Sequence, residues 1–310
     1  MKIAVVGVGA LGTLFGGLLR REGHDVWLLH HRESYAETLR TKGVRIESDV
    51  LDDAPVHVSV SATTDADEVG HVDLALVLVK AHQTRTALED HGACIGPETR
   101  VLTLQNGLRC FDTVVDVIGP DRALGGITYQ GAVRKGPGVA VHTAAGQTVF
   151  GGEDDAFARR LRDVFGSAGI GDVSIVSDPR QPIWEKQLVG AAVKPLGALT
   201  RLPNAALVAD ERLAETIRRL MIEAATVAES QGVDVSPEEQ FDGFADFLAE
   251  SGGGHRSSML QDVEAERPTE IGAVNGAIVE LADEEGIDVP YNRLSTTLVK
   301  GLERSYLGEG

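Results

Sequence analysis

The stretch Lys2-Ile3-Ala4-Val5-Val6-Gly7-Val8-Gly9-Ala10-Leu11-Gly12-Thr13-Leu14-Phe15-Gly16-Gly17-Leu18-Leu19 decides the fold of the chain. A short β-branched run leads into Gly-x-Gly-x-x-Gly, and apolar residues then recur at helical spacing at Leu11, Leu14, Phe15, Leu18 and Leu19. This is a strand, a tight turn and a helix. In such a unit Gly7 supplies the turn, Gly9 lets the backbone approach a pyrophosphate, and Gly12 lets helix and strand pack closely. The helix begins at Ala10 and Leu11, so its free N–H groups and positive dipole end face the bound phosphates.

Gly23-His24 stops the helix, and Asp25-Val26-Trp27-Leu28-Leu29-His30 reads as the second strand, completing a β-α-β unit of about 30 residues. The residues that follow discriminate between nicotinamide cofactors. An acid there binds a ribose 2′-hydroxyl, whereas Arg accommodates a 2′-phosphate. The chain has His31 and Arg32 ahead of Glu33. This order favours NADP(H), with Arg32 as the phosphate clamp and His31 as its helper. Glu33 leaves NAD(H) as the alternative.

The 310 residues suffice for two domains with well-buried cores. The formal net charge is −18, with 47 Asp and Glu against 29 Lys and Arg, of which only seven are Lys. That balance argues against nucleic-acid and anionic-membrane partners. It suits either a salt-rich cytosol or ordinary solubility. Cys94 and Cys110 have no metal-ligand spacing and read as free thiols in a reducing compartment. No apolar run approaches the length of a membrane span, so a soluble cytoplasmic protein is expected.

Further along, Val72 to Val79 is an uninterrupted apolar run, the pattern of a central parallel strand buried on both faces. Lys80 and Gln83 follow at its carboxyl end, where ligands of open parallel sheets bind. Asn106 holds the corresponding place after the strand Arg100–Gln105. Gly-rich short strands from Ala123 to Gly151 predict an antiparallel extension of the sheet, and an acidic turn separates strands near Val44–Ile46 and Val56–Val60. The domain boundary falls near Ser177–Pro182. Beyond it the periodicity is helical, with a capping box at Ser236-Pro237-Glu238-Glu239, a break at Ser251–Gly254, and Thr269 capping a helix over Glu270–Glu284.

Lys186 lies on the first of these helices, with Gly190 and Lys194 on its face. From this stretch alone it reads as a surface lysine resting its stem on an apolar helix. Its company changes that. The chain resembles the ketopantoate reductases, which join a Rossmann-type doubly wound sheet to an all-helical domain like that of 6-phosphogluconate dehydrogenase. The marks are Gly7-Val8-Gly9-Ala10-Leu11-Gly12, Val79-Lys80-Ala81-His82-Gln83, Leu104-Gln105-Asn106-Gly107, Ile183-Trp184-Glu185-Lys186, Ser257-Ser258-Met259-Leu260-Gln261-Asp262, Thr269-Glu270-Ile271 with Asn275-Gly276, and Val289-Pro290-Tyr291-Asn292. They run in order nearly end to end.

The resemblance implies an α/β domain over residues 1–178 and a helical substrate and dimerisation domain over 179–310. It also implies NADPH-dependent reduction of 2-dehydropantoate to pantoate, on the path to pantothenate and coenzyme A. By the same resemblance Lys186 protonates the ketone oxygen and Glu270 accepts a hydrogen bond from the substrate's hydroxyl. Ser258 holds the substrate carboxylate, Asn106 lies near cofactor and substrate, and Lys80 lines the cofactor's side of the site. A homodimer is implied as well. A lysine near its ordinary pKa donates protons reluctantly, so partial burial is expected to lower Lys186.

Two asparagines that the family usually carries one and two turns after the lysine are here Gly190 and Lys194. Gly190 removes an amide donor, whose role must pass to water or another residue unless the substrate differs. Lys194 lies about 12 Å along the helix from Lys186, too far for strong mutual lowering of pKa; it is expected among the substrate-binding residues with Asn106 and Ser258, where it could meet a carboxylate. These departures admit a paralogue acting on another small branched 2-oxo acid. A non-catalytic NADP-binding regulator is the remaining alternative, and retention of Lys186, Ser258 and Glu270 together argues against it.

Overall fold

The computed structural model describes residues 1–50, 55–250 and 254–308, which fold as two units. The first comprises 1–105 and 110–180; the second takes 106–109 and the chain from Gln181 onward. The acidic turn and most of the Ser251–Gly254 break lie outside the described residues.

In the first unit β1 (Lys2–Val6), α1 (Ala10–Arg21), β2 (Asp25–Leu29) and α2 (Glu33–Lys42) build the opening β-α-β-α run. There follow β3 (Val44–Ser48), β4 (Val56–Val58), β5 (Ser61–Thr63), β6 (Leu74–Val77), α3 (Thr84–Asp90), β7 (Arg100–Thr103), α4 (Cys110–Ile118) and β8 (Ala123–Thr128). The unit ends with β9 (Gly131–Gly136), β10 (Val139–Ala144), β11 (Thr148–Gly152), α5 (Asp155–Ser167) and β12 (Val173–Val176).

The main sheet has the order β12-β11-β8-β7-β6-β1-β2-β5. From β8 to β5 all neighbours are parallel, with Val5 opposite Leu28 on one side and Leu76 on the other. Ile3 to Val6 and Leu74 to Val77 are fully buried, as strands covered on both faces must be. Phe15, Phe150 and Phe165 meet edge to face, with both centroid spacings at 5.6 Å, and close the core under α1 and α5.

The expected antiparallel extension holds only in part. β11 pairs antiparallel with β8, but β9 and β10 leave the main sheet and join β3 and β4 in a second sheet of order β4-β3-β10-β9. The cause is local. Gly138, at φ +68°, turns the β9–β10 hairpin against Gly43, and its carbonyl accepts from Arg45 N–H at 2.8 Å. This small sheet packs on α1 through Gly17, where a Cβ would stand 2.6 Å from Ile46 and 2.7 Å from Val44.

The second unit is helical: α6 (Arg180–Thr200), α7 (Asn204–Ala209), α8 (Glu211–Ser230), α9 (Pro237–Glu250), α10 (Ser258–Glu264), α11 (Ala277–Glu285) and α12 (Pro290–Leu307). Ser236 Oγ accepts from Glu239 N–H at the start of α9, as the capping box predicts. The helix expected from Glu270 is not a continuous α-helix. Residues Gly272–Gly276 form a π turn before α11, while Thr269 Oγ1 accepts from Ile271 N–H at 3.2 Å.

That turn answers a defect in α6. Pro195 has no N–H, so the carbonyl of Ala191 loses its partner within the helix. Asn275, in the π turn and fully buried, donates to it at 2.7 Å and to Asn292 Oδ1 at 3.0 Å. Asn292 in turn donates to Leu220 O and Glu223, whose carboxylate also caps α12 at the N–H groups of Tyr291 and Asn292. One polar chain thus ties α6, the π turn, α8 and α12.

Candidate functional site

In the first unit the glycines separate by role. Gly7 has φ +99°, and a Cβ there would stand 2.6 Å from Val79 N. At Gly12 it would stand 2.1 Å from Gly7 O. Both positions exclude any side chain. Gly9 has nothing within 4 Å of its Cβ position, so packing within the fold does not demand a glycine there. No side chain caps α1, so its first-turn N–H groups at Ala10, Leu11 and Gly12 are given no side-chain acceptor at the N-cap.

At the end of β2, His31 and Arg32 are joined: Arg32 Nε donates to His31 Nε2 at 3.1 Å. Arg32 N–H donates to His30 Nδ1 at 3.0 Å, and the His30 ring stacks on His31 and on Tyr35. Tyr35 then donates to Val8 O at 3.0 Å, so the same cluster fastens the glycine turn. Burial, with help from the charges of His31, Arg32 and Arg134, pushes His30 down to about 4. Its ring is therefore a neutral platform beneath a cationic rim.

Lys80 and Gln83 lie in the loop after β6, both exposed. Gln105 fixes that loop by donating to Val79 O at 2.7 Å and to Thr84 Oγ1 at 3.0 Å. A nicotinamide dinucleotide fits this unit: the side-chain-free turn and the uncapped start of α1 suit its pyrophosphate, and a cationic rim stands at the end of β2.

In the second unit Lys186, Gly190, Lys194 and Gly197 share one face of α6, at helical steps of four, four and three. Burial pushes the Lys186 ammonium down to about 7, the nearby charge of Lys194 acts in the same direction, and Glu270 opposes both. The spacing of about 12 Å between Lys186 and Lys194 does not carry over to their charges. The Lys194 side chain runs back over Gly190, with Nζ 3.1 Å from where a Cβ would stand. This shortens the axial separation to about 6 Å.

Ser257, buried, faces the same side of α6, its Oγ 3.2 Å from the Cβ position of Gly197. It caps α10 by accepting from Leu260 N–H, which leaves the exposed Ser258 as the hydroxyl available to a ligand. Asn106 is half-buried in the segment 106–109, which packs with the second unit through Arg109 against Glu280 and Glu284.

Several residues escaped the sequence reading. Asn275 was visible inside a family motif, yet its role depends on a proline 80 positions away. Gln105 lay inside a family motif and Tyr35 at the start of a predicted helix, and neither was given a role. Asn204, 4% exposed with its Oδ1 unpartnered, and Gln187, equally buried with Oε1 unpartnered, carried no pattern at all. The backbone of Asn204 donates to His255 O and so holds the approach to Ser257 and Ser258.

Comparison with known proteins agrees over the whole chain. Residues 3–154 match the family model described as ketopantoate reductase PanE/ApbA, and 178–303 match its C-terminal counterpart. The 2-dehydropantoate 2-reductase of Halobacterium salinarum is 34% identical over 98% of this chain and 99% of its own. That of Pyrococcus abyssi is 33% identical, with 98% of each chain covered. Among solved structures, a PanE/ApbA family ketopantoate reductase from Ralstonia eutropha superposes with a TM-score of 0.87 at 31% identity, covering 99% of both chains. D-mandelate dehydrogenase with NADH and anilino(oxo)acetate gives 0.90 at 26% identity, again covering 99% of both chains. The chain belongs to the ketopantoate reductase family of nucleotide-binding reductases.

Proposed function

We propose that this protein reduces 2-dehydropantoate to pantoate with NADPH. The observation that carries the reading is Lys186, an ammonium brought to about 7 by burial and by Lys194, with the Glu270 carboxylate close enough to oppose them. A group titrating near neutrality is both a competent proton donor and readily recharged.

The bound dinucleotide supplies the hydride that reduces the keto carbon. Lys186 holds the carbonyl oxygen, stabilises the negative charge that grows on it, and transfers its proton there, leaving a neutral amine that solvent reprotonates. Glu270 favours the charged form of Lys186 between turnovers. Ser258 and Asn106 orient the acid. Arg32, steadied by His31, takes the 2′-phosphate, and Lys80 and Gln83 line the cofactor's side.

A cytoplasmic homodimer is the form we infer. Cys94 and Cys110 are buried thiols outside any disulfide, as in a reducing compartment, and among the described residues no helix is long and apolar enough to cross a membrane. Leu294 and Leu298 expose an apolar strip one turn apart on α12.

Following nicotinamide absorbance with NADPH and NADH against a panel of 2-oxo acids tests the assignment. Turnover of 2-dehydropantoate, faster with NADPH, supports it; cofactor binding without turnover on any oxo acid overturns it. The likeness to D-mandelate dehydrogenase, together with Gly190 and Lys194, supports a second reading in which another 2-oxo acid is preferred and NADH serves. The same panel separates the two.

A further inference from the structure

Glu33, the acid at the end of β2 that leaves NAD(H) as an alternative, is already engaged by the protein. It is the first residue of α2, and its carboxylate accepts from Arg40 Nη2 and, at 3.1 Å, from Thr64 Oγ1. Arg40 is itself fixed. Its Nη1 donates to Ala62 O at 2.9 Å, and its Nε and Nη2 donate to Glu37 Oε2 at 3.1 and 2.7 Å. Ala62 lies in β5 and Thr64 directly follows that strand. An isolated exposed ion pair contributes little, but a guanidinium already anchored to a strand gives up little further freedom when it takes a second carboxylate. Arg40 and Thr64 together hold the Glu33 carboxyl below the usual carboxylate range.

The strand order gives this restraint a direction. β2 lies between β1 and β5, with Leu29 opposite Val6 on one side and Thr63 on the other. The glycine turn follows β1, and Tyr35 is tied to it through Val8 O at 3.0 Å. Glu33 is tied the opposite way. Neighbouring strands stand about 4.8 Å apart, so β5 lies about 10 Å from β1. A dinucleotide with its pyrophosphate on the glycine turn brings its ribose to the end of β2 from the β1 side. A carboxylate drawn toward β5 is out of place to accept from a 2′-hydroxyl there, and its repulsion of a 2′-phosphate is weakened by distance. Arg32 keeps an exposed position at the same strand end.

We propose that Arg40, assisted by Thr64, sets the cofactor preference by holding the Glu33 carboxylate on the β5 side of β2, away from the ribose 2′-position. Arg40 is thus a positioning residue that acts through Glu33 and touches no cofactor atom. This rests on the reading of the first unit as the NADPH-binding one, and it names what turns a strand end carrying both a cation and an acid toward the phosphorylated dinucleotide.

The test measures calorimetric Kd for NADPH and NADH on the full chain, for wild type, Glu33→Ala, Arg40→Met, Thr64→Val and the double variant Glu33→Ala with Arg40→Met. Arg40→Met frees the carboxylate to accept from a 2′-hydroxyl and to oppose a 2′-phosphate, so the ratio of Kd for NADH to Kd for NADPH should fall about tenfold or more. Thr64→Val removes one bond of the restraint and should lower the ratio about two- to threefold. Glu33→Ala alone should leave the ratio within about threefold of wild type, and the double variant should return to that range. Where Arg40→Met does not fold, Thr64→Val with and without Glu33→Ala decides by the same cancellation. A ratio unmoved by Arg40→Met, a fall that persists in the double variant, or a tenfold loss of NADH affinity in Glu33→Ala alone overturns the restraint while the NADPH reading stands. A wild type that binds NADH more tightly overturns the restraint and the NADPH reading together, as does binding of neither dinucleotide. If both bind and no 2-oxo acid is reduced, the reductase reading fails, and the Kd ratios still judge the restraint.

Discussion

Asn275 Nδ2 donates to the carbonyl oxygen of Ala191 at 2.7 Å, the acceptor that Pro195 leaves unserved inside α6. The bond joins the helix carrying Lys186 and Lys194 to the π turn that follows Glu270. A proline in a helix interior is thereby tolerated, because a side chain from another element takes over the missing donor.

Asn275→Ala should therefore cost about 2–3 kcal/mol, since Ala191 O and Asn292 Oδ1 both lose a buried donor. Pro195→Ala returns an N–H to the helix. The cost of Asn275→Ala should shrink by about 1 kcal/mol or more in that background. Urea unfolding of the four proteins in the cycle measures this, and additive effects would show that Ala191 is not the shared partner.

The glycine turn predicts a division between folding and binding. Gly12→Ala places a methyl 2.1 Å from Gly7 O and should lower Tm by several degrees. Gly9→Val meets open space, so Tm should stay within about 1–2 °C of wild type while calorimetric affinity for the dinucleotide falls at least about tenfold. A Gly9 variant with normal affinity would place the pyrophosphate elsewhere.

Arg32 and Arg134 predict the cofactor choice. Arg32→Ser removes a charge-assisted bond to a 2′-phosphate worth about 1.5–3 kcal/mol, so Kd for NADPH should rise about 10- to 100-fold and Kd for NADH less than about threefold. Arg134→Ser, which removes a charge acting on the same His30 ring, should give a smaller loss in the same direction. Equal losses for both cofactors would remove the phosphate clamp.

The β-α-β opening was legible because strand, glycine spacing and helix periodicity agree within 30 residues, and each glycine meets the steric demand expected of it. The β9–β10 hairpin was not, because its partner β3 lies about 90 positions earlier and nothing local distinguishes the edge of one sheet from that of another. At the candidate site Lys186 and Glu270 were reachable through the resemblance. The proximity of Lys194 was hidden, since spacing along a helix axis fixes the positions of Cα atoms and not of ammonium groups on flexible stems. Gln187 and Asn204 were hidden for a related reason: an unpartnered buried atom is a property of the packed structure alone.

Lys186 predicts the pH behaviour, with a sign for each neighbour. Ketone reduction needs the ammonium, so kcat/KM should fall as pH rises through about 7, and oxidation of the hydroxy acid should rise over the same interval. Lys194→Met removes a positive neighbour that lowers Lys186, so the limb should move to higher pH. Glu270→Gln removes the opposing negative charge, so the limb should move to lower pH. Stability follows the same proton. Between about 7 and the ordinary lysine value of 10.5 the unfolded chain keeps a proton that native Lys186 has lost, so the stability of the native state should rise with pH across that window. Lys186→Met should abolish this contribution and raise Tm at pH 7, because a charge whose burial is unfavourable is replaced by an apolar side chain of similar length. PH–rate profiles of the three variants beside wild type, with Tm measured from pH 6 to 10, check both halves. Shifts of the same sign in Lys194→Met and Glu270→Gln would remove Lys186 from the proton transfer.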